Sequence, residues 1–188
     1  DIAANTYAAF DLGIGDSTAV WVFQIVAGEW RFLRYYEGQG MPLYHYIEWL
    51  KALPFKIDLC FLPHDADARE LQTGKSRKLF FEERGMQTKV VKRQAVEDGI
   101  EAVRMTLPRC YFEQSDCMQG LHVLRSYRTD YSENLRTFAP RPLHDWASHG
   151  ADAFRTAVMG VNEHAQPVVR NKSDWKKPIS RANAGTYV

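Results

Sequence analysis

The chain has 188 residues, a formal charge of +1 and 45% apolar residues, including five Trp, nine Tyr and ten Phe. That suits one domain with a real core, or one domain plus a tail, and excludes a polycation, so any nucleic-acid binding must come from local clusters of Lys and Arg. No apolar run reaches the roughly 18 residues of a membrane span, no signal peptide is visible, and Cys60, Cys110 and Cys117 form no CxxC pair, which favours buried thiols in a reducing compartment over disulfides or a zinc site.

The chain opens at Asp1 in a polar segment with no initiator methionine, as expected of a piece of a longer polypeptide. Tyr7, Ala8, Ala9 and Phe10 read as an apolar strand running into Asp11, followed by a tight turn at Gly13 and Gly15. The stretch from Thr18 to Val26 is β-branched and aromatic and predicts a strand running back. Ala27-Gly28-Glu29 is a turn, and residues 30–36 form a third strand, so the three make an antiparallel meander. Pro42 opens a helix over 43–53, with Leu43, Tyr46, Ile47 and Leu50 on its apolar face and Pro54 as its stop. Residues 57–62 predict a buried parallel strand reached by that crossover, ending at Pro63-His64-Asp65-Ala66-Asp67.

A basic helix is expected over 74–84, capped by Gly85, then a strand at 88–91 and a helix over 94–107. A short extended piece at 110–112 and a helix over 116–127 follow. Residues 132–142 read as loop or short hairpin. The segment from His144 leads into a last helix ending near Val161. From Gln166 the chain is aperiodic and basic, so a domain over 1–163 with a flexible tail over 164–188 is expected. A meander placed before parallel strands gives an α/β mixed sheet with helices on both faces, the order of an RNase H-like domain.

Three acids sit where such a fold converges: Asp11 on the first strand, Asp65 after the fourth, and Asp152 on the last helix. Oxygen-only ligands suit Mg²⁺ or Mn²⁺, and two such ions sharing carboxylates supply what phosphodiester cleavage needs. Each acid alone has a plainer reading: Asp11 as a turn acid, Asp65 as a cap with Asp67 competing for either role, and Asp152 as a surface acid. The combination of positions is what favours the site. His149 lies three residues before Asp152 on one helix face and helps hold a ligand, contacts a phosphate or, preferably, donates to a carboxylate. Asp145 is a fourth ligand or, preferably, the N-cap before Trp146. His64 touches substrate or solvent. Lys75, Arg77, Lys78, Lys92 and Arg93 contact DNA phosphates, or else form a solvated face balanced by the interleaved acids Glu82, Glu83, Glu97 and Asp98.

Three blocks carry a resemblance: Phe10-Asp11-Leu12-Gly13-Ile14-Gly15-Asp16-Ser17-Thr18-Ala19, Leu62-Pro63-His64-Asp65-Ala66, and the run from His144 through Asp152 to Arg155. In this order they resemble the C-terminal nuclease domain of the large terminase subunit of tailed bacteriophages, over roughly residues 5–161. The last block is the most specific. The resemblance implies an RNase H-like metal-dependent endonuclease that cuts concatemeric double-stranded DNA during genome packaging, with Asp11, Asp65 and Asp152 as ligands of two Mg²⁺ or Mn²⁺ ions. Some relatives carry Glu at the second position, which leaves Asp65 and Asp67 both open as that ligand. The implied partners are DNA, an N-terminal ATPase domain of the same polypeptide that nothing here resembles, the portal and the small terminase subunit. The implied place of action is the host cytoplasm, outside the mature virion. The alternatives are another RNase H-like nuclease of resolvase or transposase type, or a non-catalytic DNA-binding or docking module of the packaging motor. A sugar-kinase or actin-like ATPase is set aside, because the chain lacks a second lobe.

Overall fold

The structure, a computed structural model, describes residues 3–13, 17–69, 74–132 and 136–165. Six strands form one sheet: β1 (Thr6–Leu12), β2 (Ser17–Val26), β3 (Glu29–Gln39), β4 (Leu59–Leu62), β5 (Thr88–Val90) and β6 (Cys110–Phe112). Their spatial order is β5-β4-β1-β2-β3-β6. β1, β2 and β3 are the antiparallel meander, β4 and β5 run parallel beside β1, and β6 joins parallel to β3. This is the RNase H-like α/β arrangement.

The sheet is buried on both faces, and strand alternation decides what each face receives. Phe10 and Leu12 of β1 enter a layer with Val20, Val22 and Leu62, closed by Tyr46, Ile47 and Leu50 of α1 (Leu43–Lys51) and by Phe81 of α2 (Arg77–Glu82). Ala9 enters the opposite layer, with Trp21, Phe23, Phe32 and Phe61. That layer is closed by α4 (Gln114–Ser126) and α5 (Ser148–Ala165), and α3 (Val96–Thr106) packs against α5. Phe154 of α5 stacks on Phe32 at 4.6 Å between ring centroids and meets Trp21 edge-on at 5.5 Å.

Small residues let α5 come close. A Cβ on Gly150 would overlap the Tyr35 hydroxyl, and one on Gly160 would overlap the Phe61 ring. The indole Nε1 of Trp21 donates to the Gly150 carbonyl at 2.9 Å, a buried bond that pins the start of the helix to the sheet.

Several elements differ from the sequence expectation. The helix expected over 74–84 has six residues. The Ser76 hydroxyl starts it by accepting the Leu79 N–H at 3.2 Å, and Gly85 follows its end at φ +80°, left-handed backbone that favours glycine. Residues 110–112 are an edge strand of the main sheet, too short to show a period. Of the two readings of 132–142, loop or short hairpin, the structure has the hairpin, which starts slightly earlier: β7 (Thr129–Ser132) pairs antiparallel with β8 (Thr137–Pro142). α5 runs on to Ala165, past the expected end near 161, and the rest of the expected tail lies outside the described residues.

All three cysteines are free, and burial pushes each thiol up to about 12. Among the described residues no helix is long and apolar enough to cross a membrane.

Candidate active site

β1 carries Asp11, its last residue but one, on the face that α5 covers, because the alternation follows Ala9. β4 ends at Leu62, and Pro63 leads into a 3-10 turn, His64–Asp67, which carries Asp65. α5 carries His149 and Asp152 on its first turns. Asp11, Asp65 and Asp152 thereby line one cleft of about 770 Å³ at the carboxyl end of the central strands, together with His64, Lys92, Arg93, Arg141 and Arg155.

Each of the three carboxylates has a cationic or imidazole partner. His149 Nδ1 lies 3.1 Å from Asp11 Oδ2, Arg77 Nη1 donates to Asp65 Oδ2 at 3.3 Å, and Arg155 Nη2 pairs with Asp152 Oδ1 at 3.2 Å. Each pair uses one oxygen and leaves the other free of a hydrogen-bond partner among the described residues. The Asp65 side chain is 47% exposed, so its ion pair contributes roughly 0–1 kcal/mol at most, and its consequence is orientation.

Burial pushes the Asp152 carboxyl above its ordinary value. The Arg155 guanidinium opposes that, and the charge on Asp11 adds to the rise. Asp11 and Asp152 are thus within electrostatic reach of each other and repel, a tension that a cation between them would relieve. Burial likewise raises the Tyr35 hydroxyl, which donates to Glu37, and Asp11 contributes to that shift too.

The donor set suits a hard divalent ion: carboxylate oxygens on rigid elements, with one oxygen of each unengaged. It is an open set. Among the described residues, as they stand, no three His, Cys, Asp or Glu side chains come close enough together to hold a metal ion, so Asp11, Asp65 and Asp152 share a cleft without forming a ready-made ligand cluster.

The remaining expected residues separate clearly. Asp67 faces away from the cleft toward Lys78, with 3.8 Å between Nζ and Oδ1. Asp145 lies off the cleft in a capping geometry: its Oδ1 accepts the Ala147 N–H at 2.9 Å and its carbonyl accepts the Ser148 N–H at 3.0 Å. His64 is exposed on the cleft wall.

The five cations expected to contact phosphates sit in different surroundings. Lys92 and Arg93 are exposed on the cleft, whereas Lys75 is clamped to Glu83 at 2.7 Å and Lys78 faces Asp67. Arg77 is buried, with its guanidinium turned inward. The short α2 carries two of these cations, Arg77 and Lys78, which point to different surroundings, and Lys75 precedes it.

Arg155 and Arg141 were not singled out from the sequence. Arg155 follows Asp152 by three, and the helix-face argument applied to His149 would have found it. Its stem lies over Gly99, and its Nη1 is buried without a partner among the described residues. Arg141 comes from the ribbon, where the sequence carries no signal of approach to the cleft.

No protein-family model matches the chain, and no curated protein matches it in sequence. Solved structures match its fold. The large terminase of a thermophilic bacteriophage, solved also in complex with ADP, superposes with a TM-score of 0.65 at 16% identity, covering 85% of this chain and 40% of that one. The nuclease domain of the P22 large terminase gives 0.64 at 18% identity, covering 86% and 84%. The large terminase nuclease of the thermophilic phage G20c, solved with bound magnesium and with bound cobalt, gives 0.57 at 14%, covering 83% and 81%. The chain therefore spans about 40% of the length of the first of these proteins and has the fold of a large-terminase nuclease domain.

Proposed function

We propose that this chain is a divalent-metal-dependent endonuclease that cuts concatemeric double-stranded DNA during viral genome packaging, with Asp11, Asp65 and Asp152 as its metal ligands. One observation carries the reading: three carboxylates from distant parts of the chain line a single cleft whose walls also present Lys92, Arg93 and Arg141. Asp11, Asp65 and Asp152 would hold Mg²⁺ or Mn²⁺, two ions on this reading, which would supply charge neutralisation on the phosphate and a water of lowered pKa.

The protein's own part is positioning. β1 holds Asp11 near its end, the 3-10 turn after β4 holds Asp65, and His149 orients the Asp11 carboxylate through one oxygen. Lys92, Arg93 and Arg141 contact backbone phosphates on either side of the cut and carry no base information. The nuclease domain is taken to include all of α5, to Ala165 rather than the expected 163, with a basic tail after it. Duplex DNA, an ATPase domain of the same polypeptide, the portal and the small terminase subunit are the partners, and the host cytoplasm is the place of action.

Plasmid cleavage tests the reading. Asp11→Ala, Asp65→Ala and Asp152→Ala each abolish Mn²⁺-dependent cutting while the circular dichroism spectrum persists, and wild-type products carry 5′ phosphate and 3′ hydroxyl ends. Full activity in all three variants rejects the site. Metal-insensitive DNA binding with no cleavage at any Mn²⁺ concentration assigns the chain to a docking role instead.

A further inference from the structure

We infer that Arg77 is a positioning residue that braces the two acid-bearing strand ends against each other and turns one oxygen of Asp65 toward the cleft. The inference rests on the reading of Asp65 as a metal ligand.

Arg77 begins α2, on the face of the sheet opposite α5. It is 8% exposed and, among the described residues, the one buried side chain from Lys, Arg, Asp and Glu. A guanidinium is placed there at a cost unless its donors are met. Its Nη1 donates to the Leu12 carbonyl at 3.1 Å and to Asp65 Oδ2 at 3.3 Å. Leu12 is the residue after Asp11, so one nitrogen reaches both the last residue of β1 and the 3-10 turn that follows β4.

That bridge stands where the sheet itself stops joining them. β1 and β4 are in register from Tyr7 with Leu59 to Ala9 with Phe61, and no registered pair continues to the level of Asp11. Beyond that point the separation of the two strand ends is not set by ladder hydrogen bonds. Arg77 spans the gap from the far side. Asp65 has no other hydrogen-bond or ion-pair partner among the described residues, so without Arg77 its half-exposed carboxylate would rotate freely. With Oδ2 held, Oδ1 remains for another ligand. Partners of this kind orient metal-binding side chains, and their removal weakens metal binding by about 10- to 100-fold.

The decisive variant is Arg77→Lys. It keeps the positive charge, so repulsion of an incoming cation is unchanged, and it removes the planar fork. Mn²⁺ binding to the whole chain is followed by calorimetry and by the Mn²⁺ electron paramagnetic resonance signal, and cleavage is measured against both Mn²⁺ and DNA concentration. The expected result is Mn²⁺ affinity lowered by about 10- to 100-fold and a matching rise in half-saturating Mn²⁺, with the KM for DNA unchanged.

Wild-type Mn²⁺ affinity in Arg77→Lys overturns the inference. So does a raised KM for DNA at unchanged Mn²⁺ affinity, which marks Arg77 as a phosphate contact. Asp65→Asn separates the two levels. If it loses Mn²⁺ while Arg77→Lys does not, the bracing role alone falls. If it binds Mn²⁺ like wild type, Asp65 is not a ligand and both fall. Should Arg77→Lys fail to fold, the guanidinium NMR signals of the wild-type chain decide: slow-exchanging Arg77 resonances that shift on adding Mg²⁺ support the brace, and resonances that ignore Mg²⁺ overturn it.

Discussion

Beneath α1 and α2, β1 presents Phe10 and Leu12 to a layer of large buried side chains. Beneath α5, the same strand presents Ala9 and then Asp11, and the layer opens at its end into the cleft. The first face is filled by bulk. The second combines bulk deep in the layer (Trp21, Phe32, Phe154) with small residues where α5 must come near (Ala19, Gly150, Ala153, Ala157). A carboxylate on a strand can meet one on a helix only where the two backbones approach, so close packing on this face serves the site. On the other face it serves stability alone, apart from Arg77 reaching through.

Truncating one large core residue on each face tests that difference most forcefully. Phe154→Ala is expected to cost about 3–5 kcal/mol and Leu50→Ala about 2–5 kcal/mol, both seen as lower melting temperatures. Only Phe154→Ala should also lower kcat for the fraction that stays folded, because α5 carries Asp152. Equal kcat losses from the two would break the comparison.

Gly150→Ala is a finer probe. The added methyl collides with Tyr35 and Val123, an overpacking cost of about 1–3 kcal/mol. At about 2–4 °C per kcal/mol for a domain of this size, melting should fall by several degrees. Cleavage should fall further than that instability explains, since His149 and Asp152 flank the displaced residue. A variant that melts lower but cuts normally would show that α5 has slack.

The smallest expected effect concerns Asp152 without metal. Burial raises its carboxyl above the ordinary 3.8, so the native state holds this proton more tightly than the unfolded chain does. The stability this contributes is fully present below the unfolded value and is lost as pH rises through the folded one. Asp152→Asn should therefore melt at or slightly above wild type at neutral pH in the presence of a chelator, with the difference vanishing in acid. A clear loss of stability at neutral pH would mean that the ion pair with Arg155 outweighs burial.

Much of the fold was legible because its signals are local. Alternation and β-branching mark β1 to β3, Pro42 and Pro54 bracket α1, and Gly85 closes α2. For short elements only part was legible: residues 110–112 read as extended and 132–142 as loop or short hairpin, but three residues offer no period to tell that β6 joins the sheet beside β3. Among site residues, strand-end and helix-face logic led to Asp11, Asp65, His149 and Asp152. Spacing alone could not choose between Asp65 and Asp67, which differ in which way a 3-10 turn points them.

Local pattern therefore determined the order of strands and helices and which acids fall at element ends, because backbone propensity and side-chain period act over neighbouring residues. Only the tertiary structure decided that Arg77 turns inward while Lys92 and Arg93 stay on the cleft, and that Arg141 joins them from the ribbon. Those outcomes depend on which surfaces meet across dozens of intervening residues, and a charged side chain reads the same in sequence whether it ends in solvent or against a buried carbonyl.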